Sequence, residues 1–409
     1  MRRPAIRFSL KYLMKPGLKS DKKPRSSPRQ KLSREAGELA RFAGCLGASL
    51  SRVEDGFWET RLASSIDHLL RKGNEGALQA ALDHLYMENA AAFEELVDLI
   101  EARCESLLQT GPDAGQNIVL IAAPLLAWSR LSIPAGPLER AALQNLRVKL
   151  KAHVLAAHSR LALVDFLFSP DQLPRSYVKT FQLVQELAGA VFKESDLHIE
   201  PKGLPRAAEY VADARYILGA VAAPQGSPLF RWQEEEGSGE EAFAQWKAQA
   251  GPALAGALAG CVYELLPPNA YHSACRRADR EGRPFSLKAS AAFLQASFNV
   301  EAGRLRAVIA PCHRERLEEY RIGFTLADSH QVVYGLVWPL LDAEDENSGL
   351  DRVIESLLRE CGIALQVTLD ERLPLEYCDE CGAPLYPNPD GELVHAEWPE
   401  DTPAAARLH

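Results

Sequence analysis

The sequence predicts an α/β (or α+β) protein with a helical N-terminal subdomain, a two-lobed α/β body and a C-terminal Cys-x-x-Cys knuckle. Three observations predict it. Apolar residues recur at helix spacing from Leu32 to about Leu108, with no strand-like run among them. From Ile118 onward, short apolar runs alternate with amphipathic segments, the pattern of strands and helices sharing a core. Near the end, Cys378 and Cys381 stand in a stretch whose prolines at 384, 387 and 389 rule out a long helix.

Taken in order, residues 1–31 read as a disordered basic tail, rich in Lys, Pro and Ser. The helical subdomain is expected over 32–110. Leu32, Ala36, Leu39, Ala40, Ala43 and Leu46 form its first stripe. Ser51-Arg-Val-Glu54 is a capping-box pattern that opens a second helix carrying Phe57, Trp58, Leu62, Ile66, Leu69 and Leu70. Gly73-Asn-Glu75 ends that helix and begins the next.

The first α/β lobe is expected over 111–236. Its elements are a buried strand at Ile118–Trp128, a helix at Leu138–Ala157, a strand at Arg160–Phe168 and a helix at Tyr177–Phe192. Strands at Arg215–Ala223 and Ser227–Trp232 follow. The second lobe, 237–377, begins after the acidic run Glu234–Glu241. It reads as a helix at Ala242–Ala259, a strand at Cys261–Leu266 and a helix at Ser286–Phe298. Strands at Arg304–Ala310, Tyr320–Leu326 and Val332–Leu340 come next, then a helix at Asp351–Glu360 and a strand at Ile363–Leu369. Ala123–Tyr177 and Trp338–Tyr377 share an order of strand, Pro-Leu-Leu, helix, strand and Leu-Pro. Chance resemblance between two β–α–β units accounts for that order as well as a duplication does; a duplication implies two related lobes with a ligand cleft between them. Residues 378–409 are the knuckle and a Pro-rich, acidic tail that wraps the surface.

Composition narrows the function classes. The 409 residues are 47% hydrophobic and 25% charged, as in globular proteins, which excludes fibrous and wholly disordered readings. The longest apolar runs, Ile118–Trp128 and Pro252–Leu266, are shorter than a membrane span, so no membrane partner is expected. Eight scattered cysteines suit a reducing cytoplasm, not a disulfide scaffold. Net charge is −9, yet residues 1–34 carry +11, leaving −20 on the rest. Nucleic acid could therefore be engaged only through residues 1–34.

The residues that carry chemistry are few. Cys378 and Cys381, followed by Gly382, present two thiolates to one metal, and zinc completes a tetrahedron with two more ligands. His395 is the expected third ligand. Cys361, or the pair His272 and Cys275, could complete the set. The alternatives are a knuckle that has lost its metal and a redox dithiol. His272, Cys275 and Arg276 also combine a base, a nucleophile and an anion clamp within five residues. No phosphate-binding loop, dinucleotide fingerprint, nucleophile elbow or zinc-protease motif occurs, so no catalytic residue is assigned.

The region Leu32–Asp401 resembles an uncharacterised bacterial family, domain of unknown function twenty-eight sixty-three. The matching stretches are Ser51–Glu59 (SRVEDGFWE), Leu120–Arg130 (LIAAPLLAWSR), Asp171–Tyr177 (DQLPRSY), Pro228–Glu234 (PLFRWQE) and Tyr320–Thr325 (YRIGFT). The most specific are Cys378–Asn388 (CDECGAPLYPN) and Gly391–Asp401 (GELVHAEWPED), with Trp398 where the family has Met. The resemblance brings no established fold, activity or cofactor. The sequence thus leads to a non-catalytic cytoplasmic binding or scaffold protein with a structural zinc-knuckle-like site. An enzyme acting on a small molecule in the inter-lobe cleft is the alternative, and nucleic-acid association through the tail is the second. Substrate, partner proteins and oligomeric state are not specified by the sequence.

Overall fold

The computed structural model describes residues 32–109, 115–235, 237–341 and 344–398. The expected basic tail, 1–31, and the final stretch, 399–409, lie outside the described residues.

Four helices come first: α1 (Arg34–Gly47), α2 (Arg52–Lys72), α3 (Glu75–Glu88) and α4 (Ala90–Cys104). Each starts at a short polar side chain that accepts from an amide three residues on: Ser33, Ser51, Asn74 and Asn89. That bond satisfies one of the orphan donors of a helix start. Gly73, at φ 71°, closes α2 in the left-handed conformation, and the amides of Gly73 and Asn74 return to the Leu70 and Leu69 carbonyls. The apolar stripes then bury one another, with Leu39, Leu62, Ile66, Leu78, Leu82 and Leu96 fully enclosed.

The chain next builds an antiparallel sheet from β1 (Ser106–Gln109), β2 (Gln116–Trp128), β3 (Gly136–Pro137), β4 (Arg160–Phe168) and β5 (Ala212–Pro224), in the order β1-β2-β5-β4-β3. Helix α5 (Arg140–Lys149) lies between β3 and β4 in the chain, and α6 (Tyr177–Phe192) between β4 and β5. After β5 come α7 (Gly239–Ala250), β6 (Val262–Leu265), β7 (Asn269–Ala270) and the long α8 (Tyr271–Phe298). Strand β2 pairs with β5 over its whole length, while β1, β7 and β6 share its other edge. Pro124 sits where that edge passes from β7 to β6. Its carbonyl accepts from the Leu266 amide on this side, so its missing N–H falls at the change of partner. Helices α6 and α8 cover one face of the sheet and α5 and α7 the other. Burial on both faces is why Ile118–Ala127 is an almost unbroken apolar run.

Three expectations are corrected. The helix expected over Leu138–Ala157 is α5 followed by a single wide turn at Leu150–Val154, which delivers Leu155 to a bridge with Phe230. Ser227–Trp232 is not a strand. The Gln233 side chain accepts from the Leu229 and Phe230 amides, supplying the partner that a strand would have needed. Helix α8 begins at Tyr271, not Ser286. Tyr271, Ala274, Cys275 and Ala278 form a narrow small-residue face on the first sheet, which the surrounding charges hide from a periodicity reading. Pro284 lies between that half and a second half, Leu287–Leu294, which packs on the other sheet.

The second sheet holds β8 (Leu305–His313), β9 (Leu317–Leu326) and β10 (Tyr334–Pro339), paired antiparallel in the order β10-β9-β8. After α9 (Leu350–Glu360), β11 (Leu365–Thr368) and β12 (Leu373–Pro374) add to β8 in parallel. The body thus mixes helices with antiparallel and mixed sheets. The two segments that resemble each other are built differently: one strand separates β2 from β4, and two separate β10 from β11.

The side-chain alternation of a strand explains how the C-terminal segment is held. On β9, Tyr320, Ile322 and Phe324 face the core under α8 and α9, so Arg321 and Gly323 face the opposite side. There the hairpin β13 (Tyr386–Pro387) and β14 (Leu393–Val394) lies across the sheet. Gly323 is paired with Gly335 of β10. A Cβ on Gly323 would fall 2.1 Å from the Pro387 carbonyl oxygen, and one on Gly335 2.2 Å from the Tyr386 ring. The glycine pair is the notch that seats β13. Gly335→Ala is expected to lift Tyr386 out at a cost of about 1–3 kcal/mol, read as a lower urea midpoint and faster proteolysis after residue 376. An unchanged midpoint would reject the notch. Beyond the hairpin the chain returns to the core side, where Trp398 stacks on Phe298, ring centres 5.1 Å apart. Among the described residues, no helix is long and apolar enough to cross a membrane.

Candidate metal centre

The knuckle is built from a tight turn and a hairpin. The Gly382 amide donates to the Cys378 carbonyl and the Cys378 amide to the Ala383 carbonyl, both at 2.8 Å, folding the chain back between the two thiols. Gly382 adopts φ 71°, a left-handed geometry that favours glycine. Amides of Cys381 and Glu380 point at the Cys378 sulfur and lower its pKa by stabilising the thiolate.

His395 arrives from the hairpin. Asn388 closes that hairpin by accepting from the Asp390 and Glu392 amides at 3.0 and 2.9 Å, and Gly391 turns the chain at φ 84°. The imidazole Nε2 thereby reaches 3.2 Å from Cys381 Sγ. The ligand atoms of Cys378, Cys381 and His395 all lie within 4.8 Å of one another, Cys381 exposed and the other two half-buried. Two thiolates and an imidazole are a zinc-compatible donor set, and the spacing is that of ligands around one ion. Among the described residues no fourth Cys, His or acidic group joins them.

Arg321 fixes the arms of the knuckle. Fully buried on β9, it donates through Nη1 to the carbonyls of Glu376 and Leu385, which flank the turn on either side. Its Nε donates to Glu319 at 2.8 Å, and the guanidinium lies 5.0 Å from the Tyr377 ring centre. Sequence reading missed it. The available signal was an arginine at a central strand position, where an apolar residue would otherwise be expected.

The other nominated residues are elsewhere. Cys361 caps the C-terminus of α9, half-buried against the second core. It is not brought to the knuckle, because α9 packs on the far side of the second sheet from the hairpin, and the His272–Cys275 pair is not either, because it lies in the half of α8 that packs on the first sheet. His272, Cys275 and Arg276 start α8 and form a buried junction with the end of α4. Cys104 Sγ lies 3.2 Å from His272 Nε2, and Arg276 pairs with Glu101. Helix α8 has no capping side chain of its own, and Glu105 of the α4 C-cap accepts from the His272 amide at 2.8 Å. Glu75 of α3 supplements α6's own Ser176 cap, accepting from the Tyr177 and Val178 amides. The helical bundle therefore caps two helices of the body in trans.

Burial dominates the electrostatics of that junction. It raises Glu101 and Glu105 to about 7, Arg276 opposing the shift in both, and lowers His272 to about 3. It also pushes the Cys104 and Cys275 thiols well up, so Cys104 and His272 meet as neutral partners, not as an activated thiolate–imidazolium pair. His272 and Cys275 are both buried in this helix–helix junction, with Arg276 beside them.

A family model described as protein of unknown function (DUF2863) matches residues 24–409. The chain belongs to this family. The DUF2863 match reaches beyond the 32–401 span that the sequence stretches delimit and includes the knuckle, the hairpin and Arg321. No curated protein and no solved structure gives a significant match.

Proposed function

We propose that this chain is a non-catalytic binding or scaffold protein of the cytoplasm, and that Cys378, Cys381 and His395 hold one structural zinc ion. The observation that carries the reading is the convergence of the three ligand atoms within 4.8 Å from two separate segments, the turn and the end of β14. A metal there ties the turn to the hairpin, and the hairpin is what covers the open face of the second sheet. Zinc supplies that cross-link without redox chemistry. The cytoplasmic assignment rests on eight free cysteines.

Elemental analysis tests the reading. The purified chain is expected to carry about one zinc, and C378A/C381A and H395A are expected to lose it. Chelation should lower the melting temperature of the wild type and leave C378A/C381A unmoved. Wild-type protein without metal, or zinc retained in both variants, would overturn the assignment.

A further inference from the structure

The end of the helical bundle farthest from α1's start carries large apolar side chains that stay exposed, Phe57 partly covered by Arg61 and Trp58. Leu50 is 95% exposed, Val53 87%, Met87 78% and Phe57 51%. Leu50 and Val53 belong to the α1–α2 corner, and Met87 to the α3–α4 corner. These two corners meet, since a Cβ on Gly47 would lie 3.3 Å from the Ala92 amide nitrogen. Val53 and Phe57 are one turn apart on the same face of α2. Isolated exposed apolar residues are ordinary, but a group of four at one end of a bundle marks a surface with an occupant.

The rim of this surface is acidic. Glu54 and Glu59 of α2 and Glu88 at the end of α3 are exposed, and Asp55 is half-exposed. Two exposed arginines interrupt this rim, Arg52 beside Val53 and Arg61 with its guanidinium 5.1 Å from the Phe57 ring centre, so four carboxylates face two guanidiniums. An apolar patch with this acidic excess fits a segment that alternates apolar and basic residues. The same chain contains one: Arg2-Arg-Pro-Ala-Ile-Arg-Phe-Ser-Leu-Lys-Tyr-Leu-Met-Lys15, with Ile6, Phe8, Leu10 and Tyr12 in alternation and five Lys or Arg. It lies outside the described residues and precedes the start of the family match at residue 24. Reach is sufficient. The surface is one helix length from the start of α1, about 20 Å, and residues 16–32 can span about 55 Å when extended.

We propose that residues 2–15 dock in cis on the face formed by Leu50, Val53, Phe57 and Met87. Apolar contact supplies the affinity, and the acidic rim sets orientation and a salt dependence. The strongly basic segment then serves first as an internal ligand of the bundle, and the bundle end is free for other partners only when that segment leaves.

Trypsin cleavage after Arg7 and Lys11, followed by mass spectrometry on the full chain, tests this. Cleavage is expected to be slowed roughly tenfold or more relative to a synthetic peptide of residues 1–20. Protection should weaken in high salt and vanish in V53S/F57S, which removes the apolar contact and adds no charge. Both positions are exposed, so circular dichroism should show that variant folded. Cleavage of the wild type at the peptide rate, or protection that survives V53S/F57S, would overturn the proposal. Protection lost on dilution would assign the face to a second copy and overturn docking in cis.

Discussion

Arg321→Met is expected to destabilise the chain by about 3–5 kcal/mol, the range for removing one partner of a buried ion pair. The guanidinium is fully buried. Its loss leaves the Glu319 carboxylate, only 15% exposed, without its partner. It also leaves the Glu376 and Leu385 carbonyls without this donor. Methionine fills much of the volume, so the loss measured is electrostatic and not a cavity. Arg321→Lys should recover little, because one ammonium cannot serve a carboxylate and two carbonyls in the planar geometry that the guanidinium spans. The double variant E319Q/R321M should be less impaired than R321M, since it removes the stranded charge. Urea denaturation reads the stability. Competition with a zinc chelator reads the second consequence, weaker metal retention, because the flanks of the knuckle are no longer held. An R321M midpoint within about 0.5 kcal/mol of wild type would show that the arms do not depend on this residue.

The α4–α8 junction should make stability fall as pH rises from about 5 to 7. Glu101 and Glu105 titrate near 7 when folded and near 4.5 in the unfolded chain. Their contribution is complete below the unfolded value and is lost as pH rises through the folded one. His272 works the other way. It titrates near 3 when folded against 6.5 unfolded, so its contribution is present above 6.5 and lost as pH falls through 3. Between pH 4.5 and 6.5 the imidazole cancels one carboxyl, leaving a net slope of about one proton, or about 1.4 kcal/mol per pH unit. Neighbouring charges come from each packed element: Asp98 from α4, Glu75 from α3, and Arg276 and Asp279 from α8.

Glu105→Gln keeps an acceptor for the His272 amide and removes one titration. Over pH 4.5–6.5 its junction slope should be close to zero, and the variant should gain on wild type by up to about 3 kcal/mol between pH 4.5 and 7. His272→Asn should steepen the fall instead, to about two protons. Denaturation at several pH values gives both curves as differences from wild type, in which titrations elsewhere drop out. Parallel curves for wild type and E105Q would reject the assignment of this proton to the junction.

Local signals were the ones that sequence reading could use. The polar residues at 51 and 74 start helices because a cap bond spans only three residues, and Tyr177–Phe192 is a helix from end to end for the same local reasons. The apolar run at Ile118 is a strand because burial on both faces leaves no polar alternation to read. Cys378 and Cys381 are visible as a thiol pair because the turn between them is short.

What escapes sequence reading depends on partners distant in the chain. Gly323 and Gly335 look like weak strand positions until register pairs them beneath Tyr386 and Pro387. Arg321 looks like a misplaced charge until two carbonyls from the knuckle's arms come to it. Helix α8 lacks a local start signal because its cap, Glu105, belongs to α4. Cys104 carries no motif, and only the docking of α8 on α4 gives it His272 as a neighbour. The sequence by itself determined the caps, the buried strand and the two-thiol turn, all set by interactions within a few residues. Tertiary structure alone brought His395, one of several candidates, to the thiol pair and packed His272 and Cys275 into a junction. Which side chains meet across a sheet or between helices follows from register and packing, and neither is written in any one segment.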